Sequence, residues 1–278
     1  MKVFVATDME GVSGVVHREH TSWDGRRHDE ARKWMTEHIN AAVEGAVEAG
    51  ASEVLVCDGH SNGRNVKLDL LHSDARLMWG RQNRRLGQME GIDESFDAVL
   101  MVGLHARAGT PGVLNHTINS GVVTELRVNG DPVGEIDIGA GIAGEFDVPV
   151  AMVSGGATAV AQAKERMPHI ETAVVMDPVG QYSANVLPPV RAHERVRTAT
   201  VQALARLDEM EPTRFEAPVR FEMEFKDTAM ADAASMMPGA ERLGPRICAY
   251  TAEDFLKSFQ AQWVMVVLGA GERWESTP

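Results

Sequence analysis

The sequence predicts an α/β protein with a mostly parallel sheet, helices on both faces of that sheet, and a smaller C-terminal α+β subdomain. Strand-like and helix-like segments alternate through the first two thirds of the chain. The strand-like segments are unbroken apolar runs, such as residues 54–57 and 98–102, which are typical of strands covered on both faces. Residues 217–227 instead alternate apolar and charged side chains, which indicates an exposed antiparallel strand.

The first predicted elements are a strand, a helix and two further strands. Residues 2–8 form the first strand, and residues 26–50 form a helix because apolar residues recur at intervals of three and four. Gly50 is expected to end this helix. Residues 53–60 and 97–106 then give two strands with polar ends.

The later elements follow the same alternation. Residues 121–146 predict a hairpin that turns at Asn129-Gly130, followed by a helix of small residues from about Asp137. Further strands are expected at residues 148–155 and 172–177, and further helices at residues 157–168, 188–210 and 253–269.

We expect two units, a larger α/β domain over residues 1–185 and a C-terminal subdomain over residues 186–278. A chain of 278 residues is long enough for one large domain or two smaller ones. No internal repeat or low-complexity linker marks a sharper boundary.

The composition excludes several classes of partner. A net charge of −13 would repel nucleic acid and anionic lipid, and only the short segment from Arg81 to Arg85 is locally basic. No apolar run reaches the roughly 18 residues that a membrane-spanning helix requires. The apolar run that opens the chain is too short for a signal peptide, so we expect a cytoplasmic protein. Cys57 and Cys248 are expected to be buried, reduced thiols.

Three predicted strands end in side chains that can bind metal ions. Asp8 and Glu10 follow the first strand, Asp58 and His60 follow the second, and His105 follows the third. The carboxyl ends of parallel strands converge at one edge of a sheet. Each residue alone has an ordinary explanation, such as capping a turn. Together these residues supply carboxylates and imidazoles, the two types of ligand that zinc and similar metals prefer. Their convergence predicts a metal site at this edge.

Two later segments contribute to the same site. A loop rich in Gly and Pro follows the third strand and carries His116 next to Asn115, which would place a proton-transfer group over the site. Glu135 follows the predicted hairpin. His72 has no assigned environment. The histidines expected to be solvated are His17, His20, His28, His38, His169 and His193.

The order of these motifs resembles the D-aminopeptidases of the binuclear zinc peptidase class, the family of the dipeptide-operon D-aminopeptidase. The motifs are "DMEG" at residues 8–11, "DGHS" at 58–61, "GLHARAGTPGVLNHT" at 103–117, "VGE" at 133–135 and "MMPG" at 236–239. The resemblance therefore spans nearly the whole chain. It implies hydrolysis of the N-terminal residue, such as D-alanine, from short peptides or amides.

The resemblance also implies a ligand set and a catalytic residue. Two zinc ions would be bound by Asp8, Glu10, His60, His105 and Glu135. His116 would be the catalytic residue.

The chemistry of these residues is consistent with two ions. Five protein ligands are too many for one zinc ion with an open position, but they suit two ions if Asp8 presents one oxygen to each. Water held between two cations loses its proton near neutral pH and becomes a nucleophile. His116 could then act as a nucleophile, as a general acid to the leaving amine, or as a donor to the oxyanion, and we favour the last two.

Three further residues are candidates for supporting or substrate-binding roles. Asp58 could accept the second N–H of His60. Arg107 could balance the carboxylates or bind the carboxylate of the substrate, and a structural ion pair explains it equally well. Asn115 lies next to His116 in the same loop.

Two other functions remain as alternatives. The first strand followed by "DMEG" resembles the nucleophile motif of haloacid-dehalogenase-type magnesium phosphatases, in which Asp8 would be phosphorylated. His60 and His105 argue against this because magnesium rarely binds imidazole. The second alternative is a non-catalytic metal- or ligand-binding protein, in which His116 would have no kinetic role.

The family resemblance also implies assembly. Its members form ring-like homo-oligomers, which would make this chain a homo-oligomer, and a decamer is one form of such a ring. The apolar segment "WVMVVLGAG" at residues 263–271 could form a subunit contact or belong to a core helix.

Overall fold

The structure is a computed structural model that describes residues 1–80 and 86–271. The basic segment from Arg81 to Arg85 lies outside the described residues. In the described part of the chain, no helix is long and apolar enough to cross a membrane.

Seven strands form the first sheet, in the order β3-β2-β1-β4-β7-β8-β9. All neighbours in this sheet are parallel except β8 and β9, which are antiparallel. The sheet is built from β1 (Lys2–Thr7), β2 (Glu53–Asp58), β3 (Ala75–Met78), β4 (Ala98–Leu104), β7 (Val150–Gly156), β8 (Glu171–Gly180) and β9 (Ser183–Val186).

Five strands form a second sheet that is entirely antiparallel, in the order β11-β12-β10-β5-β6. Its strands are β5 (Val123–Val128), β6 (Asp131–Pro132), β10 (Val219–Phe225), β11 (Glu241–Arg242) and β12 (Ile247–Ala252). The strands β5 and β6 form the predicted hairpin, which turns at Asn129-Gly130. The second sheet therefore takes strands from both sides of the expected boundary at residue 185, and the division into two domains stays a prediction.

Seven α-helices complete the described fold. The helices α2 and α5 pack against each other and against the first sheet, while α4 packs on β7 and β8. The helix α3 contacts β4 and α7, and α7 packs on β10 and β12 of the second sheet. The helices are α1 (Arg18–Thr21), α2 (His28–Glu48), α3 (Glu135–Glu145), α4 (Ala157–Arg166), α5 (Pro189–Ala205), α6 (Thr228–Ser235) and α7 (Phe255–Gly271). The predicted fold class is confirmed.

The core explains why the strands are unbroken apolar runs. Every residue of β4 and of β7 is buried, as expected for central strands covered on both faces. Cys57 and Cys248 are buried in this core and are not joined in a disulfide, which agrees with the predicted buried, reduced thiols.

Several elements differ from the sequence-based expectation. The strand β10 is antiparallel as predicted but lies in the middle of the second sheet, where its alternate residues are buried rather than exposed. The helix α3 begins at Glu135 instead of Asp137, because the Asp137 carboxylate accepts the backbone N–H of Gly134 at 2.8 Å and caps the helix. The sequence analysis missed the short elements β3, β9, β11, β12, α1 and α6.

The prediction that six histidines are solvated is wrong for two of them. His20 and His38 are buried. His38 lies on the face of α2 that packs on α5, and its ring meets that of His193 edge-on at 4.9 Å. A histidine with charged neighbours in sequence can thus face inward, because only every third or fourth residue of a helix shares its face.

Candidate metal centre

The carboxyl ends of three adjacent strands bring the predicted ligands together. β1 lies between β2 and β4, and its last residue, Thr7, is paired with Asp58 on one side and Val102 on the other. The segments that leave these strands carry the side chains of the site. Asp8, Glu10, His60 and His105 are all buried.

Two more predicted residues reach this edge from elements later in the chain. Glu135 is the first residue of α3, so the helix start holds its carboxylate at the end of the sheet. His116 lies in the loop after β4, and its ring stacks on the ring of His105 at 4.1 Å with the planes inclined by 10°. All six predicted metal and catalytic residues therefore lie in one cluster.

The two oxygens of Asp8 face different partners. Nδ1 of His60 lies 3.1 Å from Asp8 Oδ1 and 3.0 Å from Glu10 Oε2. Nε2 of His105 lies 3.2 Å from Asp8 Oδ2 and 3.3 Å from Glu135 Oε1. Donors bound to one tetrahedral zinc ion at about 2.1 Å lie roughly 3.4 Å apart. The cluster thus contains two groups of candidate ligand atoms that share Asp8 and have a spacing suitable for zinc.

His116 lies at the edge of the second set. Its Nε2 is 3.8 Å from Glu135 Oε1. Suitable atoms of His105, His116 and Glu135 all lie within 4.8 Å of one another, as do those of Asp8, Glu10 and His105. The geometry therefore allows His116 to approach an ion held by Glu135 as well as a bound substrate.

Backbone carbonyls orient all three imidazoles of the cluster. A carbonyl oxygen only accepts hydrogen bonds, so the ring nitrogen that faces it carries a proton and the other nitrogen of a neutral ring is a free ligand. In each ring that other nitrogen faces the carboxylates. His60 Nε2 donates to the Thr21 carbonyl at 2.9 Å. His105 Nδ1 donates to the Ala106 carbonyl at 3.0 Å, and His116 Nδ1 donates to the Leu114 carbonyl at 2.8 Å.

Atoms at the centre of the cluster match a site for cations. Oδ2 of Asp8, Oε2 of Glu10 and Nε2 of His105 are buried, and their contacts of 3.0–3.2 Å within the cluster lack hydrogen-bond geometry among the described residues. Buried polar atoms of this kind are costly unless they have a partner. Carboxylate oxygens and imidazole nitrogens are the ligands that zinc prefers, so these residues fit zinc.

The charges within the cluster perturb one another strongly. Burial acts to raise the pKa of Asp8, but the imidazoles of His105 and His60 outweigh it and hold that pKa well below its usual range. Burial is outweighed in the same way at Glu135, where His105 lowers the pKa. Burial also acts to lower the pKa of His60 and of His105. The neighbouring carboxylates of Asp8, Glu10 and Glu135 outweigh it and raise both pKa values well above the usual range. The carboxylates thus attract positive charge, which a metal cation supplies directly.

Asp58 has a different partner from the one expected. Its carboxylate accepts the backbone N–H groups of Asn65 at 2.5 Å and Val66 at 2.8 Å, together with the Asn65 side-chain amide at 2.9 Å. The carbonyl of Thr21 takes the place at His60 that was assigned to Asp58. The structure therefore corrects this assignment: Asp58 holds the loop that follows β2.

Arg107 and Asn115 lie beside the cluster. The backbone N–H of Arg107 donates to Oε1 of Gln162 at 3.1 Å, and within residues 1–80 and 86–271 its guanidinium makes no ion pair. Neither residue is among the described residues that line the cavity over the site. Their supporting or substrate-binding roles stay predictions.

Sequence reasoning missed three contributors to the site. The backbone carbonyl of Thr21 orients His60, and the backbone N–H of Ile118 donates to Glu135 Oε1 at 2.7 Å. Ile118 has a φ of 62°, an unusual conformation for a β-branched residue that aims this N–H at the carboxylate. Gln88 donates from Nε2 to the Glu135 carbonyl at 2.9 Å. Backbone groups leave no signature in residue type, so only Gln88 could have been suspected from the sequence.

A cavity of about 590 Å³ opens over the cluster. Its lining includes Asp8, His60, His116 and Glu135 of the cluster. The helices α3 and α7 contribute apolar residues to the same lining. Its apolar lining includes Ile138, Ile142, Phe259, Trp263, Val266 and Val267.

Comparisons with known proteins agree with this geometry. The family model described as D-aminopeptidase matches residues 1–264. A D-aminopeptidase of Bacillus subtilis (strain 168) is 36% identical over 270 residues, which cover 96% of this chain and 97% of that protein. The structure of the Zn-dependent D-aminopeptidase DppA from Bacillus subtilis, described as a self-compartmentalizing protease, superimposes with a TM-score of 0.94 at 34% identity. That match covers 97% of this chain and 98% of DppA.

Proposed function

The chain belongs to the D-aminopeptidase family, and we propose that it is a zinc-dependent aminopeptidase that removes an N-terminal D-amino acid, such as D-alanine, from short peptides or amides. One observation supports the proposal: the two oxygens of Asp8 face two different imidazoles, each beside a further carboxylate, next to an open cavity. The preference for a D-residue is taken from the names of the relatives and not from the ligand geometry.

We assign the ligands as two zinc sites that share Asp8. Glu10 and His60 complete one site, while His105 and Glu135 complete the other. Zinc bound there would act as a Lewis acid that activates water and polarises the peptide carbonyl. The carbonyl contacts to the imidazoles keep the ligand nitrogens directed at the metals, so the chain is organised for binding before an ion arrives.

His116 is assigned as the proton donor to the leaving amine. The Leu114 carbonyl holds the proton on Nδ1, which leaves Nε2 to take up a proton and deliver it. His116 lines the cavity, and its ring is fixed by stacking on His105. A proton donor fixed in this way requires no covalent intermediate on the protein.

Assembly into a ring-like homo-oligomer is also part of the proposal. DppA, which this chain matches over almost its full length, is described as self-compartmentalizing. An enclosed site restricts access to small substrates, which suits an enzyme that acts on short peptides. Light scattering on the intact protein tests the assembly, and a monomeric mass would contradict it.

The activity is tested by zinc titration of chelator-stripped protein. Release of amine is followed from D-alanyl and L-alanyl dipeptides in parallel. We expect activity to rise with zinc, to saturate near two equivalents per chain, and to be higher on the D-peptide. Absence of activity at every zinc level would contradict the proposal, and magnesium-dependent hydrolysis of a phosphate ester in a parallel sample would favour the phosphatase alternative.

A further inference from the structure

The cavity over the cluster has a lining of mixed character. Side chains of the cluster line it together with a set of apolar residues, named here the apolar wall. The apolar wall is defined as Ile138 and Ile142 of α3 together with Phe259, Trp263, Val266 and Val267 of α7. A substrate bound at the metals therefore extends over apolar surface within the same cavity.

Packing holds most of the apolar wall in place. Phe259, Val266, Ile138 and Ile142 are buried in the core, with at most 5% of each residue exposed. The rings of Phe259 and Trp263 lie 6.3 Å apart in a tilted arrangement. A wall fixed by the core keeps its shape when a ligand enters, so it can select among side chains.

The size of the cavity indicates a ligand larger than an alanine dipeptide. A volume of about 590 Å³ lies within the range of sites that hold drug-sized ligands. A methyl side chain would leave the exposed surface of the wall, which Trp263 and Val267 supply, in contact with water. A larger apolar side chain would remove that surface from water, whereas a charged side chain would lose its hydration without a partner on the wall.

We propose that the apolar wall is the side-chain pocket of this enzyme, and that its preferred substrates are short peptides or amides in which a residue adjoining the cleaved bond carries a bulky apolar side chain. The inference rests on the proposed aminopeptidase function. It assigns to Trp263 and Val267 a role in specificity, since these two residues of the wall carry exposed surface that would contact the substrate side chain, and they leave the chemistry to the metal cluster.

Two series of dipeptides test the pocket on the zinc-loaded protein. One series varies the N-terminal D-residue through Ala, Leu, Phe and Lys with a constant second residue, and the other varies the second residue behind N-terminal D-Ala. We expect kcat/KM to rise about tenfold or more from Ala to Leu or Phe in one series, and Lys to fall below Ala there. A flat profile in both series, or a preference for Lys, would overturn the inference.

A pair of variants on α7 links the preference to the wall. Val267 is 56% exposed and lines the cavity, while Val264 is 44% exposed on the same helix and is not among the described lining residues. Val267→Asp should lower kcat/KM on the bulky apolar substrate about tenfold and lower it by a smaller factor on the alanyl one. Val264→Asp is the control and should change neither, provided that light scattering shows the wild-type mass.

The outcome separates this inference from the proposed function. Zinc-dependent cleavage of alanyl peptides with no higher kcat/KM for bulky apolar side chains would support the proposed aminopeptidase function. It would contradict the assignment of the apolar wall as a side-chain pocket. Equal losses on both substrates in Val267→Asp would also overturn the inference, since a side-chain pocket acts on one substrate more than the other.

Discussion

At the scale of single residues, Asp8 is the group around which the site is built. Its Oδ1 faces His60, and its Oδ2 faces His105. Hydrogen bonds to backbone carbonyls fix which nitrogen of each imidazole is free to bind. The chemistry thus depends on side chains that the sequence displays and on backbone groups that it does not.

The role of His116 is tested by replacing it with alanine. We expect His116→Ala to lower kcat about a hundredfold, because the leaving amine loses its proton donor, while zinc content stays at the wild-type level. The comparison variant is His105→Ala, which should lose zinc as well as activity. Unchanged turnover in His116→Ala would favour a non-catalytic role, and loss of zinc from it would make His116 a ligand.

His38 gives a stability prediction that does not involve the site. Burial lowers the pKa of His38 to about 3, and the nearby His193 adds to this effect. Nδ1 of the neutral ring donates to the Trp34 carbonyl at 3.0 Å, and Nε2 accepts the N–H of Ser13 at 3.4 Å. Below about pH 6.5, His38 binds a proton in the unfolded chain but stays neutral in the folded chain. The stability contributed by the neutral ring is therefore present above pH 6.5 and is lost as the pH falls.

The expected loss is measured by urea denaturation of wild type and His38→Gln at several pH values. The free energy of unfolding of the wild type should fall between pH 7 and pH 5 by about 2 kcal/mol more than that of the variant. His169→Gln, at an exposed position, is the control and should follow the wild type. Parallel curves for wild type and His38→Gln would contradict the assigned pKa.

The residue scale also shows what the sequence could reveal. Asp8, Glu10, His60 and His105 were predictable because each follows an apolar strand, and strand ends of a parallel sheet meet. The contacts of Asp58 and the burial of His38 were not predictable, since they depend on the path of a loop and on the packing of two helices.

At the scale of elements, the close approach of β1 and β4 places the first ligands. The backbone N–H of Asp8 donates to the Val102 carbonyl at 2.9 Å, and the N–H of Gly11 donates to the Gly103 carbonyl at 2.8 Å. Gly103 has a φ of 78°, and a Cβ added there would lie 2.3 Å from the Asp8 carbonyl oxygen. Glycine is therefore required at residue 103 by its conformation and by the adjacent backbone.

Replacement of Gly103 by alanine tests this requirement. Gly103→Ala should lower the free energy of unfolding by about 2–4 kcal/mol and weaken zinc binding, because the backbone of Asp8 must move. The control is Gly50→Ala, where φ is 90° but a Cβ would meet no atom within 4 Å. The Gly50→Ala variant should lower the free energy of unfolding by only about 1 kcal/mol and leave zinc affinity unchanged. Equal effects of both variants, measured by denaturation and calorimetry, would contradict the role of the close approach.

The helix α7 shows the limit of prediction at this scale. Its apolar sequence predicts a helix, which the structure confirms over Phe255–Gly271. Its contribution to the cavity could not be predicted, since the facing residues belong to α3, more than a hundred positions earlier in the chain. The periodicity of a segment identifies its buried face but not what that face borders.

At the scale of the whole molecule, two sheets cooperate in one site. The first sheet supplies the strand ends that carry the proposed metal ligands, and the hairpin β5–β6 of the second sheet leads directly into α3 and Glu135. The helix α7 packs on the second sheet and closes the cavity from that side. Alternation of strands and helices was sufficient to predict the five inner strands of the first sheet, but not its edge strands β3 and β9. The second could not be foreseen in full, because it pairs β5 with β10, strands distant in sequence.

The most direct measurement is the zinc stoichiometry of chelator-stripped wild type, His60→Ala and Asp8→Asn by calorimetry. Two sites that share Asp8 predict two equivalents per chain for the wild type and one for His60→Ala, because the set of His105 and Glu135 stays intact. Asp8→Asn should weaken both sites. A wild type that saturates at a single equivalent, or a His60→Ala variant that still binds two, would contradict the two-site account.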